Sequence, residues 1–152
     1  MVGMLLAHCL VDIDVVGVDL MRRPVTDVLM EAWQVAGRRL GNFEFREGDL
    51  RDEVGRVDSE TAVVAVHACN EASLDILDMA AERSAYWALM PCCMKKQLYL
   101  PGISARIPSE QLYSMLCGSL AATRGANLLR SIDPLITSRN IIIARRAFVA
   151  FG

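Results

Sequence analysis

The stretch TAVVAVHACNEASLDIL, residues 61–77, decides how this chain is read. Apart from Thr61, its first six residues are small or β-branched and apolar, with no polar alternation. A run that is apolar on both faces is what a strand buried inside a parallel sheet requires. It stops at His67-Ala68-Cys69-Asn70 and passes into residues 71–83, where Leu74, Leu77 and Ala81 recur at helical spacing and are expected to point inward. A strand leading through a short polar turn into a helix is half of a β-α-β unit.

The same pattern extends in both directions. Downstream, residues 85–90 read as a strand closed by Pro91-Cys92-Cys93. Residues 95–107 contain Pro101-Gly102 and no clear period, which predicts a loop. Ser109 opens a helix with Leu112, Met115, Leu116 and Leu120 expected inward. Residues 126–132 and 140–149 read as two terminal strands joined through Asp133-Pro134 and Thr137-Ser138. Upstream, Val15-Val16-Gly17-Val18 is an apolar strand ended by Asp19. Pro24 suits a first helical turn, and Val25, Val28, Leu29, Ala32, Ala36 and Leu40 make one helical face as far as Gly41-Asn42. Phe43 and Phe45 then alternate with Glu44 and Arg46 before Gly48-Asp49-Leu50, and residues 51–60 form a charged connection. Residues 1–10 read as the back half of a helix. The alternation predicts one α/β domain over residues 1–152: three layers, with a mostly parallel sheet between helices and a C-terminal antiparallel strand pair.

Composition supports a folded domain. Of 152 residues, 53% are hydrophobic and 22% charged, which excludes intrinsic disorder. The net charge of -2 excludes a large basic field of the kind that advertises nucleic-acid binding. Mean hydropathy is high at +0.31, yet no charge-free apolar run approaches the roughly 18 residues of a spanning helix. Arg145 and Arg146 interrupt the longest tail segment, so no membrane is expected. Residues 4–11 lack the basic flank of a secretory signal. The five cysteines, Cys9, Cys69, Cys92, Cys93 and Cys117, are therefore expected to be reduced thiols of an intracellular, cytoplasmic protein.

In open sheets of this kind ligands lie beyond the carboxyl ends of the strands. Asp19 ends one apolar strand and can accept hydrogen bonds from vicinal ribose hydroxyls. Asp49 ends the next, where it can meet an adenine amino group while Leu50 packs on the ring. Solvated or helix-capping carboxylates would look the same in sequence. His67, Cys69, Cys92 and Cys93 form H-x-C followed, 22 residues later, by an adjacent pair. Structural zinc sites use pairs two to four residues apart, and neighbouring residues at a strand end point to opposite faces. No metal is expected on that ground; the cysteines read as small packing groups beside a polar His–Asn pair at a pocket mouth. A disulfide between adjacent cysteines is weaker still. Lys95 and Lys96 could contact a phosphate or carboxylate, and Arg139 and Asn140 could border the same cleft. The eight methionines read as core filler.

Two segments together, VVAVHACNEASLDIL and ALMPCCMKK, resemble the HAC and PCC signature of class I S-adenosylmethionine-dependent methyltransferases of the PCC-motif group. More distantly they are similar to tRNA 2'-O-methyltransferases with a CCH motif. VVGVDL with Asp19, EGDL with Asp49 and IDPLITSRNIII fit the same fold, so the likeness covers nearly the whole chain. Asn70 stands where the group often has Gly or Asp, and Asp75 lies one residue later than its aspartate. The resemblance implies a Rossmann-like fold and S-adenosylmethionine held by Asp19, Leu20, Asp49, Leu50, His67, Ala68 and Cys69. His67 and Asn70 would serve catalysis, and Pro91, Cys92, Cys93 and Lys95 would face the substrate. The family opens with a strand and a glycine-rich turn that this sequence lacks, so an N-terminally truncated domain is expected. RNA is the acceptor class the distant relatives suggest. A non-catalytic scaffold that has lost cofactor binding is the other reading, and the absence of G-x-G-x-x-G leaves a nucleotide-dependent oxidoreductase little support.

Overall fold

A computed structural model describes residues 1–37 and 40–146, and its strands lie in two sheets rather than one. The chain divides into two compact units, Met1–Gly55 and Arg56–Gly152.

The first unit holds α1 (Val2–Cys9), β1 (Val15–Asp19), α2 (Pro24–Val35) and β2 (Phe43–Glu47), followed by a 3-10 turn at Leu50–Arg56. β1 and β2 pair in parallel, from Val15 opposite Phe43 to Asp19 opposite Glu47. α1 packs on this pair because two glycines leave room for one aromatic ring. A Cβ at Gly3 would lie 2.9 Å from Phe43 Cε2, and one at Gly17 would lie 3.1 Å from Phe43 Cζ. The end of α1 is held by Asn42, whose Nδ2 lies 3.0, 2.9 and 2.8 Å from the carbonyl oxygens of Ala7, Leu10 and Ile13. These are helix-terminal and loop acceptors that α1 itself cannot satisfy. Asn42→Ala is therefore expected to destabilise this unit by about 1–2 kcal/mol, read as increased amide hydrogen exchange in residues 2–10.

The face expected on α2 is not buried. None of its residues is fully buried, and Val25 and Val28 are 56% and 62% exposed. A two-stranded sheet offers a narrow apolar surface, and α1 occupies it. The helix also ends at Val35 rather than near Leu40, with Gly37 just beyond at φ +68°, a conformation that terminates helices.

The second unit contains β3 (Ala62–Val66), α3 (Glu71–Glu82), β4 (Tyr86–Met90), α4 (Lys96–Tyr99), α5 (Ser109–Thr123), β5 (Leu128–Ser131) and β6 (Ile141–Arg145). Its sheet runs in the order β3-β4-β6-β5. β3 and β4 are parallel, with Val66 opposite Met90. β4–β6 and β6–β5 are antiparallel. The described residues thus form a mixed α/β structure with equal numbers of parallel and antiparallel pairings, not one mostly parallel sheet. The expected antiparallel C-terminal pair is present; residues 147–149 of the expected last strand lie outside the described residues.

The core gathers Ile76, Leu77, Met79 and Ala80 of α3, Trp87 and Leu89 of β4, Leu116, Cys117 and Leu120 of α5, and Ile143 of β6. Burying a large side chain such as Leu89 contributes roughly 1.5–3 kcal/mol. Two expected helix faces are rotated by about one residue. Ser73 and Ile76 are buried on α3 while Ala81 is exposed, and Tyr113 and Cys117 are buried on α5 while Met115 is 44% exposed. Among the described residues no helix is long and apolar enough to cross a membrane.

Candidate active site

Parallel pairing of β3 with β4 fixes where their exits lie. Val66 and Met90 are register partners, so the segments 67–70 and 91–95 leave the sheet side by side. His67 N donates to Met90 O at 3.0 Å, and Asn70 N donates to Cys93 O at 3.1 Å. Lys95 N closes the brace by donating to Asn70 Oδ1 at 3.1 Å. The turn between β3 and α3 is tight enough that His67 and Asn70 both take positive φ, 61° and 50°.

Three hydroxyls hold the two segments from within the unit. Ser73, fully buried, donates to Ala68 O at 2.6 Å. Tyr99 donates to Asn70 O at 2.7 Å, and Tyr113 donates to Pro91 O at 3.0 Å while accepting from Ile141 N at 3.3 Å. Burial raises the pKa of Tyr99 and pushes that of Tyr113 up to about 12, so both stay protonated donors at neutral pH. Sequence reasoning missed all three. Tyr99 lies in the expected loop, where a four-residue helix shows no period, and Tyr113 sits one residue from the expected stripe.

The cysteines converge, contrary to the expectation that neighbours diverge at a strand end. Cys69 Sγ lies 2.8 Å from Cys92 Sγ, and Cys92 Sγ lies 3.6 Å from Cys93 Sγ. All three sulfurs fall within 4.8 Å of one another. Burial pushes the Cys92 thiol up to about 12, and its hydrogen bond lowers Cys69. Cys117 is buried apart from them, its Sγ 3.8 Å from Met94 Sδ.

The other second-unit candidates divide. His67 is exposed, and Lys95 Nζ pairs with Glu71 at 3.0 Å. Lys96 Nζ instead donates to Ala105 O at 2.7 Å. Arg139 lies over the Tyr113 ring at 4.8 Å, and Asn140 Nδ2 donates to Ile132 O at 2.8 Å. These last three have structural partners that account for them. Surface clefts lined by residues 106–110, and by residues 84–86, 125–127, 145 and 146, contain no candidate residue.

In the first unit, Asp19 and Asp49 stand at the same end of the β1–β2 pair. Gly48 N donates to Asp19 O at 3.0 Å, which draws the two strand exits together. Asp49 Oδ1 accepts from Arg51 N at 2.9 Å, a local turn bond. Among the described residues Asp19 Oδ1 receives only a long 3.4 Å bond from Met21 N, so this exposed carboxylate keeps most of its acceptor capacity. Leu20 is 72% exposed and Leu50 half-buried. An acceptor pair beside accessible apolar side chains suits the hydroxyls and base of a nucleoside. Glu47, which the sequence reading passed over, is Asp19's register partner and accepts from Arg22 N at 3.0 Å.

Asn70 is the residue on which the second-unit brace depends most. Asn70→Ala is expected to cost about 1–3 kcal/mol, combining the lost Lys95 bond with a Cβ at positive φ that has no polar side chain to offset it. Asn70→Gly should recover the backbone part and not the bond. Urea denaturation of both variants checks the split.

A sequence family described as a methyltransferase domain matches residues 1–98, from α1 through the cysteine-bearing exits to α4. No curated protein and no solved structure matches the chain.

Proposed function

We propose that this chain, which belongs to the methyltransferase domain family, is a S-adenosylmethionine-dependent methyltransferase with the Rossmann-like arrangement of class I enzymes. The observation that carries the reading is the span of the family match. It takes in Asp19, Asp49, the segment 67–70 and the segment 91–95 together.

S-adenosylmethionine, when bound, supplies an electrophilic methyl group. Asp19 would accept hydrogen bonds from the ribose hydroxyls, with Leu20 and Leu50 against the nucleoside and Asp49 toward the base. In the second unit, His67, Ala68 and Cys69 are the residues that the family resemblance assigns to the cofactor. Asn70 would keep their turn in place through its bonds to the Cys93 carbonyl and the Lys95 amide. Pro91, Cys92, Cys93 and Lys95 would form the acceptor side. Transfer of a methyl group is chiefly a matter of alignment, so a rigid strand exit contributes by fixing the acceptor's approach. Where the acceptor is a hydroxyl or amine that must lose a proton, His67, an exposed imidazole, would take it.

RNA is the proposed acceptor class. Incubating the full chain with tritium-labelled S-adenosylmethionine and, separately, total RNA, a protein extract and a small-molecule extract tests this. Label in RNA supports the proposal. Label in another fraction keeps the enzyme and replaces the acceptor, and label in none with no cofactor bound favours a scaffold.

A further inference from the structure

We propose that Cys69, Cys92 and Cys93 form a three-thiolate site for a zinc-class divalent ion, with the fourth position left to water or another donor. The backbone brings these sulfurs together. The sulfurs belong to two segments that are cross-braced on both sides of the cluster, by His67 N to Met90 O before it and Asn70 N to Cys93 O after it. Ser73, Tyr99 and Tyr113 fasten the same segments from beneath. Three soft ligands are thus held together before any ion arrives, which is the condition for tight binding.

One ion can engage all three sulfurs, whereas a disulfide can join only two of them. With zinc–sulfur bonds of about 2.3 Å, two sulfurs on one tetrahedral ion stand roughly 3.8 Å apart. Cys92 and Cys93 are already at 3.6 Å. Cys69 and Cys92, at 2.8 Å, must open by about 1 Å to reach the same separation, a displacement that side-chain rotation supplies. A disulfide would join two sulfurs and leave the third, whereas all three lie within 4.8 Å of one another. Cys69 and Cys92 are half-buried and Cys93 exposed, so the cluster is reachable from solvent. The spacing that argued against zinc in the sequence does not bear on this site, because parallel pairing, and not chain proximity, brings the sulfurs together.

Binding involves no redox change. Each thiol S–H bond breaks, its proton passes to solvent, and its electron pair forms a sulfur–metal bond, leaving three thiolates on a dipositive ion and a net charge of -1 on the cluster. The readout is metal binding and not turnover, so the site stands or falls separately from the methyl-transfer reading.

The test is titration of the reduced, metal-free full chain with Co²⁺ and then Zn²⁺. A single cobalt per chain is expected, with thiolate-to-cobalt charge-transfer absorption and the intense visible bands of tetrahedral cobalt, both erased by zinc. C69S, C92S and C93S should each weaken binding by about 100-fold, and C9S should leave it unchanged. Alkylation followed by mass spectrometry gives a second measurement on the unmutated chain: zinc should protect Cys69, Cys92 and Cys93 but not Cys9. Absence of the charge-transfer band in the reduced chain overturns the proposal. So does undiminished affinity in C92S, or alkylation of the three thiols that zinc leaves unchanged.

Discussion

His67→Gln is expected to lower the rate of methyl transfer to a hydroxyl or amine acceptor by about 100-fold or more at pH 7, the usual worth of a positioned general base. His67 is held by its backbone: its amide donates to Met90 O, and its φ of 61° turns the chain sharply out of β3. The imidazole is exposed and has no hydrogen-bond partner among the described residues, so it can meet an acceptor without breaking an existing bond. Glutamine keeps size and polarity but cannot take up a proton. His67→Asn is the companion variant, since asparagine tolerates positive φ better than most residues. Equal losses in both, with a flattened pH–rate profile, assign the effect to proton transfer. A rate at pH 7 matching the unmutated chain removes His67 from the chemistry.

Asp19→Asn is expected to weaken S-adenosylhomocysteine binding by roughly 30–100-fold, within the value of one charge-assisted hydrogen bond at about 1.5–3 kcal/mol. The substitution removes the charge and turns one acceptor into a donor where the proposed ribose hydroxyls would bind. Stability should scarcely change, because the carboxylate is exposed and its internal bond to Met21 N is long. Asp49→Asn should do less, as Asp49 Oδ1 already serves Arg51 N. The difference between the two variants therefore separates ribose recognition from a general loss of negative charge.

Much of the local structure was legible because it follows from side-chain pattern alone. The apolar runs at Val15–Asp19, Ala62–Val66 and Tyr86–Met90 are strands, and the acidic and cysteine-bearing residues do stand at strand exits. What escaped depends on partners far away in sequence. The α2 stripe is apolar by composition yet exposed, since burial needs a surface to meet it and β1–β2 is narrow. The α5 face turned by one residue because Tyr113 is pulled inward by Pro91 O, an acceptor 22 residues upstream. The convergence of Cys69 with Cys92 and Cys93 was hidden for the same reason: it is set by the register of β3 on β4 and by positive φ at His67. Asn70 is the instructive case. The resemblance placed it where related sequences often carry glycine or aspartate, and its φ of 50° is a conformation that favours glycine.

Nucleoside recognition by a carboxylate at the tip of β1 is tested most directly by calorimetric titration of S-adenosylhomocysteine into the full chain. A saturable single-site heat, weakened in Asp19→Asn, is the predicted result. A folded chain that gives no heat with millimolar ligand, or one whose Asp19→Asn variant binds equally well, would contradict it.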